Sequence, residues 1–141
     1  MVMRYFGSKE NLFAVAATFD LRLPDLSHLP KATVGVALVQ HFFDRWEGDR
    51  TLMALLRSAV TNEAAARRMR AIFAQQLVTT VSRVTGERSG PAAARAGLIA
   101  TQMLGVAVCR YVLKLPPVVK AERAALVGRI GPTIQRYLFD H

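Results

Sequence analysis

Near its beginning the chain carries the stretch Arg4-Tyr5-Phe6-Gly7-Ser8-Lys9-Glu10-Asn11-Leu12-Phe13. Gly7 has the backbone freedom that closes a helix, and Ser8 is a good N-cap for a helix that follows. Glu10 falls in the first turn of that second helix, where the helix dipole favours a negative charge. The stretch therefore predicts the end of one helix, a tight turn and the beginning of another.

The run from Tyr5 to Phe13 resembles the end of the DNA-binding domain of TetR-type transcriptional regulators. In that family an aromatic pair closes the recognition helix, and a Ser/Thr-Lys-Glu-x-Leu run opens the helix that leads to the regulatory domain. Tyr5-Phe6 and the run from Ser8 to Leu12 match these two features. The resemblance implies that residues 1–8 are a remnant of the helix-turn-helix domain and that residues 9–141 form a helical effector-binding and dimerisation domain.

The same resemblance implies contacts to DNA from Arg4, Tyr5 and Lys9, at the end of the recognition helix and in the turn that follows. A lysine beside a helix N-terminus suits a phosphate, and such contacts position a protein on DNA without reading its sequence. The family's first two helices and most of its recognition helix would lie before Met1. We therefore expect the chain as it stands to bind no operator sequence-specifically.

Composition indicates a single soluble domain. The chain has 141 residues, of which 52% are hydrophobic, so it can bury a sizeable core. Cys109 is the single cysteine, which excludes an internal disulfide and suits a reducing cytoplasm. With three histidines besides, the sequence has no metal-ligand cluster, and we expect no metal or other cofactor. The start has no signal-peptide pattern, and the longest charge-free apolar run (96–109) is shorter than the ~20 residues of a membrane span.

The formal net charge of +9 invites a nucleic-acid interpretation, because basic domains attract phosphate. The basic residues, however, are spread along the chain, and Arg67, Arg68 and Arg70 form the only tight cluster. At helical spacing Arg67 and Arg70 lie on one face, while another carries Met69, Ile72 and Phe73, which favours a solvated helix face. Charge alone decides nothing about function.

Apolar periodicity predicts an all-α fold of about six helices, with no strand-like alternation of useful length. The predicted helices span about residues 9–22, 31–47, 49–59, 61–85, 91–114 and 120–139. Asp49 and either Thr61 or Asn62 are the predicted N-caps of the third and fourth. Residues 22–30 are predicted to be a connector, and Pro116-Pro117 to stop the fifth helix.

The predicted fifth helix is apolar almost all round, and small side chains recur along it every four residues at Ala93, Gly97, Thr101, Gly105 and Cys109. This ribbon allows close approach by another helix, either within the chain or from a second subunit. In TetR-type regulators the last two long helices of each chain pair into a four-helix dimer interface. The resemblance therefore implies a homodimer, with an interface that includes Ala93, Gly97, Gly105, Leu126, Ile130 and Ile134.

The middle helices carry polar groups within apolar stripes, a mixture that small-molecule pockets need. The polar candidates are His41, Gln76, Thr80, Thr101 and Gln102, and the candidate walls are Trp46, Met69, Phe73 and Met103. The alternative is an ordinary core with satisfied polar residues, or residues that face solvent. The resemblance implies a small, usually apolar effector bound between these helices.

An enzyme is not predicted. Metal ligands and a phosphate-binding Gly-rich loop are missing, and Cys109 lies in the most apolar helix, where a small core residue is expected.

Two hypotheses about function remain. In the first, the chain is the regulatory domain of a TetR-type regulator whose native chain begins upstream. The resemblance favours a repressor, because repressors are the commoner kind in that family. In the second, it is a short interaction module that heterodimerises with a full-length regulator. The first is favoured because Phe6 to Phe13 resembles the middle of a domain.

Overall fold

The computed structural model describes residues 20–141 of the chain. The three predicted DNA-contacting residues, Arg4, Tyr5 and Lys9, and most of the predicted first helix lie outside the described residues. The last residues of that predicted helix are described and are not helical. Arg22 has a φ of 52°, in the left-handed region, so no helix continues to Arg22.

The described part contains six helices and no strand, which confirms the all-α fold class. Two 3₁₀ turns, Leu26–His28 and Lys31–Thr33, lead into the first helix. The helices are α1 (Val34–Gly48), α2 (Thr51–Ala59), α3 (Glu63–Ile72, then a π turn over Phe73–Leu77 and a further segment Val78–Thr85), α4 (Ser89–Ala107, then a π turn over Val108–Val112), α5 (Pro116–Lys120) and α6 (Arg123–Phe139).

Local capping chemistry accounts for some of the helix ends. The Asp49 carboxylate accepts a hydrogen bond from the Thr51 N–H at 2.8 Å, and the Asn62 side chain accepts one from the Ala65 N–H at 3.1 Å. Gly86 closes α3 with a φ of 73°, a conformation that costs glycine little. The two prolines that were predicted only to stop α4 also begin α5, because the fixed φ of Pro116 suits a first helical position.

The helices α1 and α6 approach each other closely at Gly35. A Cβ atom built on Gly35 would lie 2.6 Å from the Gly131 carbonyl oxygen and 2.7 Å from the Gln135 nitrogen. The Gln135 side chain reinforces this contact, since its Oε1 accepts from the Gly35 N–H at 2.7 Å and its Nε2 donates to the Lys31 carbonyl at 2.6 Å. Only a glycine at position 35 lets the two backbones approach this closely.

The core lies between α1, α3, α4 and α6. Its fully buried side chains come from all four of these helices and from α2, and include Val39, Phe43, Leu55, Val81, Ile99, Met103, Ile134 and Leu138. One face of α4, formed by Ala92, Ala96, Ile99, Met103 and Ala107, is buried in this core. The opposite side of α4 is left outside it.

We predict that Gly35→Ala lowers the free energy of unfolding by about 1–3 kcal/mol, because the new methyl group meets backbone atoms that cannot rotate away. Gly48→Ala, in the same helix, is the matched control: a Cβ there meets nothing within 4 Å, so stability should hold or rise slightly. Urea unfolding followed by circular dichroism measures both variants. Equal stability of the two variants would contradict the account of the α1–α6 contact.

Candidate ligand-binding cavity

A cavity of about 220 Å³ lies between α1, α2, α3 and α4. Of its described lining residues, all are apolar except one arginine. They are Leu21, Phe42, Trp46, Leu52, Met69, Arg70, Ile72, Phe73, Leu77, Ala100, Met103 and Leu104. Concave sites of this kind, with apolar walls between helices, are where small ligands bind in helical domains.

The π turn in α3 forms one wall of the cavity. Phe73 begins this turn and Leu77 ends it, and both side chains line the cavity, next to Met69 and Ile72 from the preceding segment. Single π turns inside α-helices are found frequently at functional sites. The sequence predicted an unbroken helix here, because a π turn leaves no clear signal in apolar periodicity.

Aromatic packing fixes Trp46, the chain's single tryptophan, in the α1 wall. Its ring lies 5.7 Å from that of Phe42, 5.4 Å from that of Phe43 and 6.0 Å from that of Tyr111, measured between centroids. The last two pairs are edge-to-face, a preferred geometry for aromatic rings. Trp46 is therefore held from two sides while its remaining surface borders the cavity.

A polar network supports Tyr111 behind Trp46. The Tyr111 hydroxyl donates to Glu47 Oε2 at 2.5 Å, and Arg123 forms ion pairs with both Glu47 and Asp44. Partial burial raises the pKa of the Tyr111 hydroxyl well above its usual value, and the hydrogen bond to Glu47 raises this pKa further. The hydroxyl consequently remains a donor, and the network ties the end of α1 to the beginning of α6.

The segment of residues 20–22, here called the Leu21 segment, closes another side of the cavity. Gln76 Oε1 accepts from the Leu21 N–H at 2.6 Å, and His41 Nε2 donates to the Leu21 carbonyl at 2.6 Å. Arg45 donates to the Asp20 carbonyl, also at 2.6 Å. Side chains from α1 and α3 thus hold the backbone of this segment while the buried Leu21 side chain lines the cavity.

The predicted ligand residues divide into two groups. All four predicted walls, Trp46, Met69, Phe73 and Met103, line the cavity. The five predicted polar anchors do not. His41 and Gln76 hold the Leu21 segment. Thr80 borders a separate small cavity, and Gln102 is half-buried outside the lining. Thr101 is exposed, and its hydroxyl donates to the Leu98 carbonyl.

Several lining residues were not predicted. Phe42 lies one helical turn before Trp46, so the periodicity of α1 was a usable signal for it. Leu52, Ala100 and Leu104 lie on ordinary apolar helix faces, and no sequence feature distinguishes them from core residues. Leu21 gave no signal, because it belongs to a non-helical segment whose place depends on His41 and Gln76.

The small-residue ribbon of α4 faces away from the protomer. Ala93 and Gly97 are half-buried and Gly105 is exposed, and a Cβ on either glycine would meet nothing within 4 Å. At Gly97 and Gly105 the ribbon therefore packs no helix in the described part of the chain, whereas Ala93 packs against the core. Leu98, beside the ribbon, is 50% exposed.

On α6, Leu126 and Ile130 are half-buried, whereas Ile134 is fully buried in the core of its own chain and offers no surface to a partner.

The arginine cluster of α3 is solvated, as its sequence pattern predicted. Arg67, Arg68 and Arg70 are exposed, and Arg70 pairs with Glu63 at 2.6 Å, as a solvated face would. Within residues 20–141, no group of three or more His, Cys, Asp or Glu side chains is placed to hold a metal ion.

Among residues 20–141, one helix is long and apolar enough to cross a membrane, by length and composition only. It runs over Ser89–Val112, has 24 residues and a mean hydropathy of 1.5 in its best window, and 28% of that window is buried. It is longer than the charge-free run of residues 96–109 because it includes Arg95 and Arg110. A core helix of a soluble protein passes the same test, so the result is weak evidence for a membrane.

A family model for the tetracyclin repressor-like C-terminal domain matches residues 32–138. The chain belongs to this family. The match spans the described helices and every described cavity residue except Leu21, so the fold is that of a TetR-type regulatory domain. No curated protein matches the chain, and neither does any solved structure.

Proposed function

We propose that the chain is the effector-binding and dimerisation domain of a TetR-type transcriptional regulator, a cytoplasmic repressor without catalytic activity. The observation that carries this proposal is the apolar cavity between α1, α2, α3 and α4. A concave, partly open site of this size, walled by aromatic and methionine side chains, suits a small apolar molecule.

The Leu21 segment connects ligand binding with the rest of the regulator. A molecule in the cavity touches the Leu21 side chain, and the backbone of Leu21 is held by Gln76 and His41. In sequence this segment follows residues 9–19 and the proposed helix-turn-helix remnant of residues 1–8, which includes the proposed DNA contacts Arg4, Tyr5 and Lys9. A ligand that favours one position of the segment changes DNA affinity, by the ~1–3 kcal/mol typical of such coupling.

Dimerisation uses the outer faces of α4 and α6 in this proposal. The ribbon of Ala93, Gly97 and Gly105 gives a groove that a second helix can approach, and Leu98 adds exposed apolar surface. The half-buried Leu126 and Ile130 extend this surface onto α6. Pairing two copies through these faces removes the apolar surface of α4 from water.

The ligand-binding part is tested by titrating the chain with benzene while following Trp46 fluorescence. We expect a saturable change, because Trp46 borders the cavity and benzene is small enough to enter it. Ala100→Phe, which places a ring in the cavity, should abolish the change, whereas Ala74→Phe, at an exposed position of α3, should preserve it. No response from the wild-type chain, or an equal response from Ala100→Phe, would refute this part.

The dimerisation part is tested by Gly105→Glu with gel filtration and light scattering. The wild-type chain should have twice the 15.5 kDa mass of one chain, and the variant should have the mass of one chain. The new side chain has open space in the protomer and glutamate is a better helix former than glycine, so the variant should remain folded.

Ala74→Glu is the matched control for the dimer, because Ala74 is exposed on α3, away from α4 and α6. It should leave the dimer intact. A wild-type monomer at micromolar concentration, or a dimer that persists in Gly105→Glu, would contradict the proposed interface.

A further inference from the structure

We infer that the cavity selects an uncharged, hydrocarbon-like molecule of about ten heavy atoms, recognised by apolar contact and without a charged anchor among the described lining residues. This inference rests on the proposed function, because it names the chemical class of the effector. It follows from how the polar side chains around the cavity are used.

The polar groups nearest the cavity are committed to the protein itself. Gln76 and His41 bind the two backbone groups of Leu21, each at 2.6 Å. A ligand that took Gln76 Oε1 or His41 Nε2 would leave a backbone group of a buried residue without its partner, which costs about 1–3 kcal/mol. Neither side chain is among the cavity-lining residues, so a ligand meets the apolar side chain of Leu21 instead.

Arg70 is the one charged residue among the described lining residues, and its charge is directed elsewhere. Its guanidinium pairs with Glu63 at 2.6 Å, and the two side chains are 63% and 66% exposed. The charged ends of the pair therefore lie in solvent, and the aliphatic part of Arg70 serves as apolar wall, as long basic side chains commonly do. An anionic ligand would have to take Arg70 from Glu63, and a cationic ligand would find no carboxylate among these lining residues.

The size of the molecule follows from the cavity volume. An apolar cavity of about 150 Å³ holds benzene. The cavity here is about 220 Å³, which scales to on the order of ten heavy atoms. The rings of Phe42, Trp46 and Phe73 and the thioethers of Met69 and Met103 are polarisable, so the walls suit an aromatic or unsaturated hydrocarbon.

Three compounds of one shape test the inference: n-propylbenzene, 3-phenylpropionate and 2-phenylethylammonium. They share the phenyl ring and two-carbon chain and differ in a terminal methyl, carboxylate or ammonium group. Titrations of the complete chain, followed by Trp46 fluorescence, give the three dissociation constants. We expect n-propylbenzene to bind at least about tenfold more tightly than either ion, because a charge taken into this cavity loses water without gaining a partner.

The variant Arg70→Leu removes the charge of the arginine and keeps an apolar side chain in the cavity wall. We expect the affinity for n-propylbenzene to change by less than about twofold and both ions to remain weak, because the substitution keeps an apolar wall. Circular dichroism checks that the variant is folded, which is expected for an exposed side chain.

Tighter binding of 3-phenylpropionate, lost in Arg70→Leu, would overturn the inference and leave the proposed effector function standing with an acidic ligand. Tightest binding of the ammonium compound, or equal binding of all three, would overturn it as well. A response to benzene but not to n-propylbenzene would refute the inferred ligand size of about ten heavy atoms. If neither benzene nor any of the three compounds binds, the proposed effector function fails together with the inference.

Discussion

The close approach of α1 and α6 at Gly35 and Gly131 is the constraint on which the rest of the structure depends. It fixes the beginning of α1, and Gln135 bonds the backbone there from the α6 side. At the other end of α1, Arg123 reaches from α6 to Asp44 and Glu47. Because α1 is held along its length, its inner side presents Phe42 and Trp46 to the cavity, and its neighbouring residues His41 and Arg45 reach the Leu21 segment.

This arrangement makes the cavity and the Leu21 segment one physical unit. Buried backbone groups need hydrogen-bond partners, and outside a helix the Leu21 N–H and C=O obtain theirs from Gln76 and His41. The polar side chains between α1 and α3 are thereby used to fix the segment, which explains why the space beside them is so apolar. Whatever fills that space also packs against Leu21.

Features set by local chemistry were predictable from the sequence, and features set by tertiary contacts were not. Short-range pattern predicted five of the six described helices, the Asn62 cap, the Asp49 hydrogen bond at the start of α2 and four apolar wall residues. It did not predict the short helix α5. The roles of His41 and Gln76 depend on a segment distant in sequence, and the two π turns leave no clear signal in apolar periodicity. Periodicity also separated the faces of α6 without telling which meets the core, so the buried Ile134 was assigned to a dimer face with Leu126 and Ile130.

The central claim, that the cavity and the Leu21 segment act as one unit, is tested most directly by hydrogen exchange at the Leu21 amide. The rate should be measured in the native chain with and without saturating n-propylbenzene. The account predicts that the ligand slows exchange at Leu21 by more than it slows the amides of α6, which report overall stabilisation. Exchange at Leu21 that is unchanged by a bound ligand, or slowed only as much as in α6, would contradict the claim.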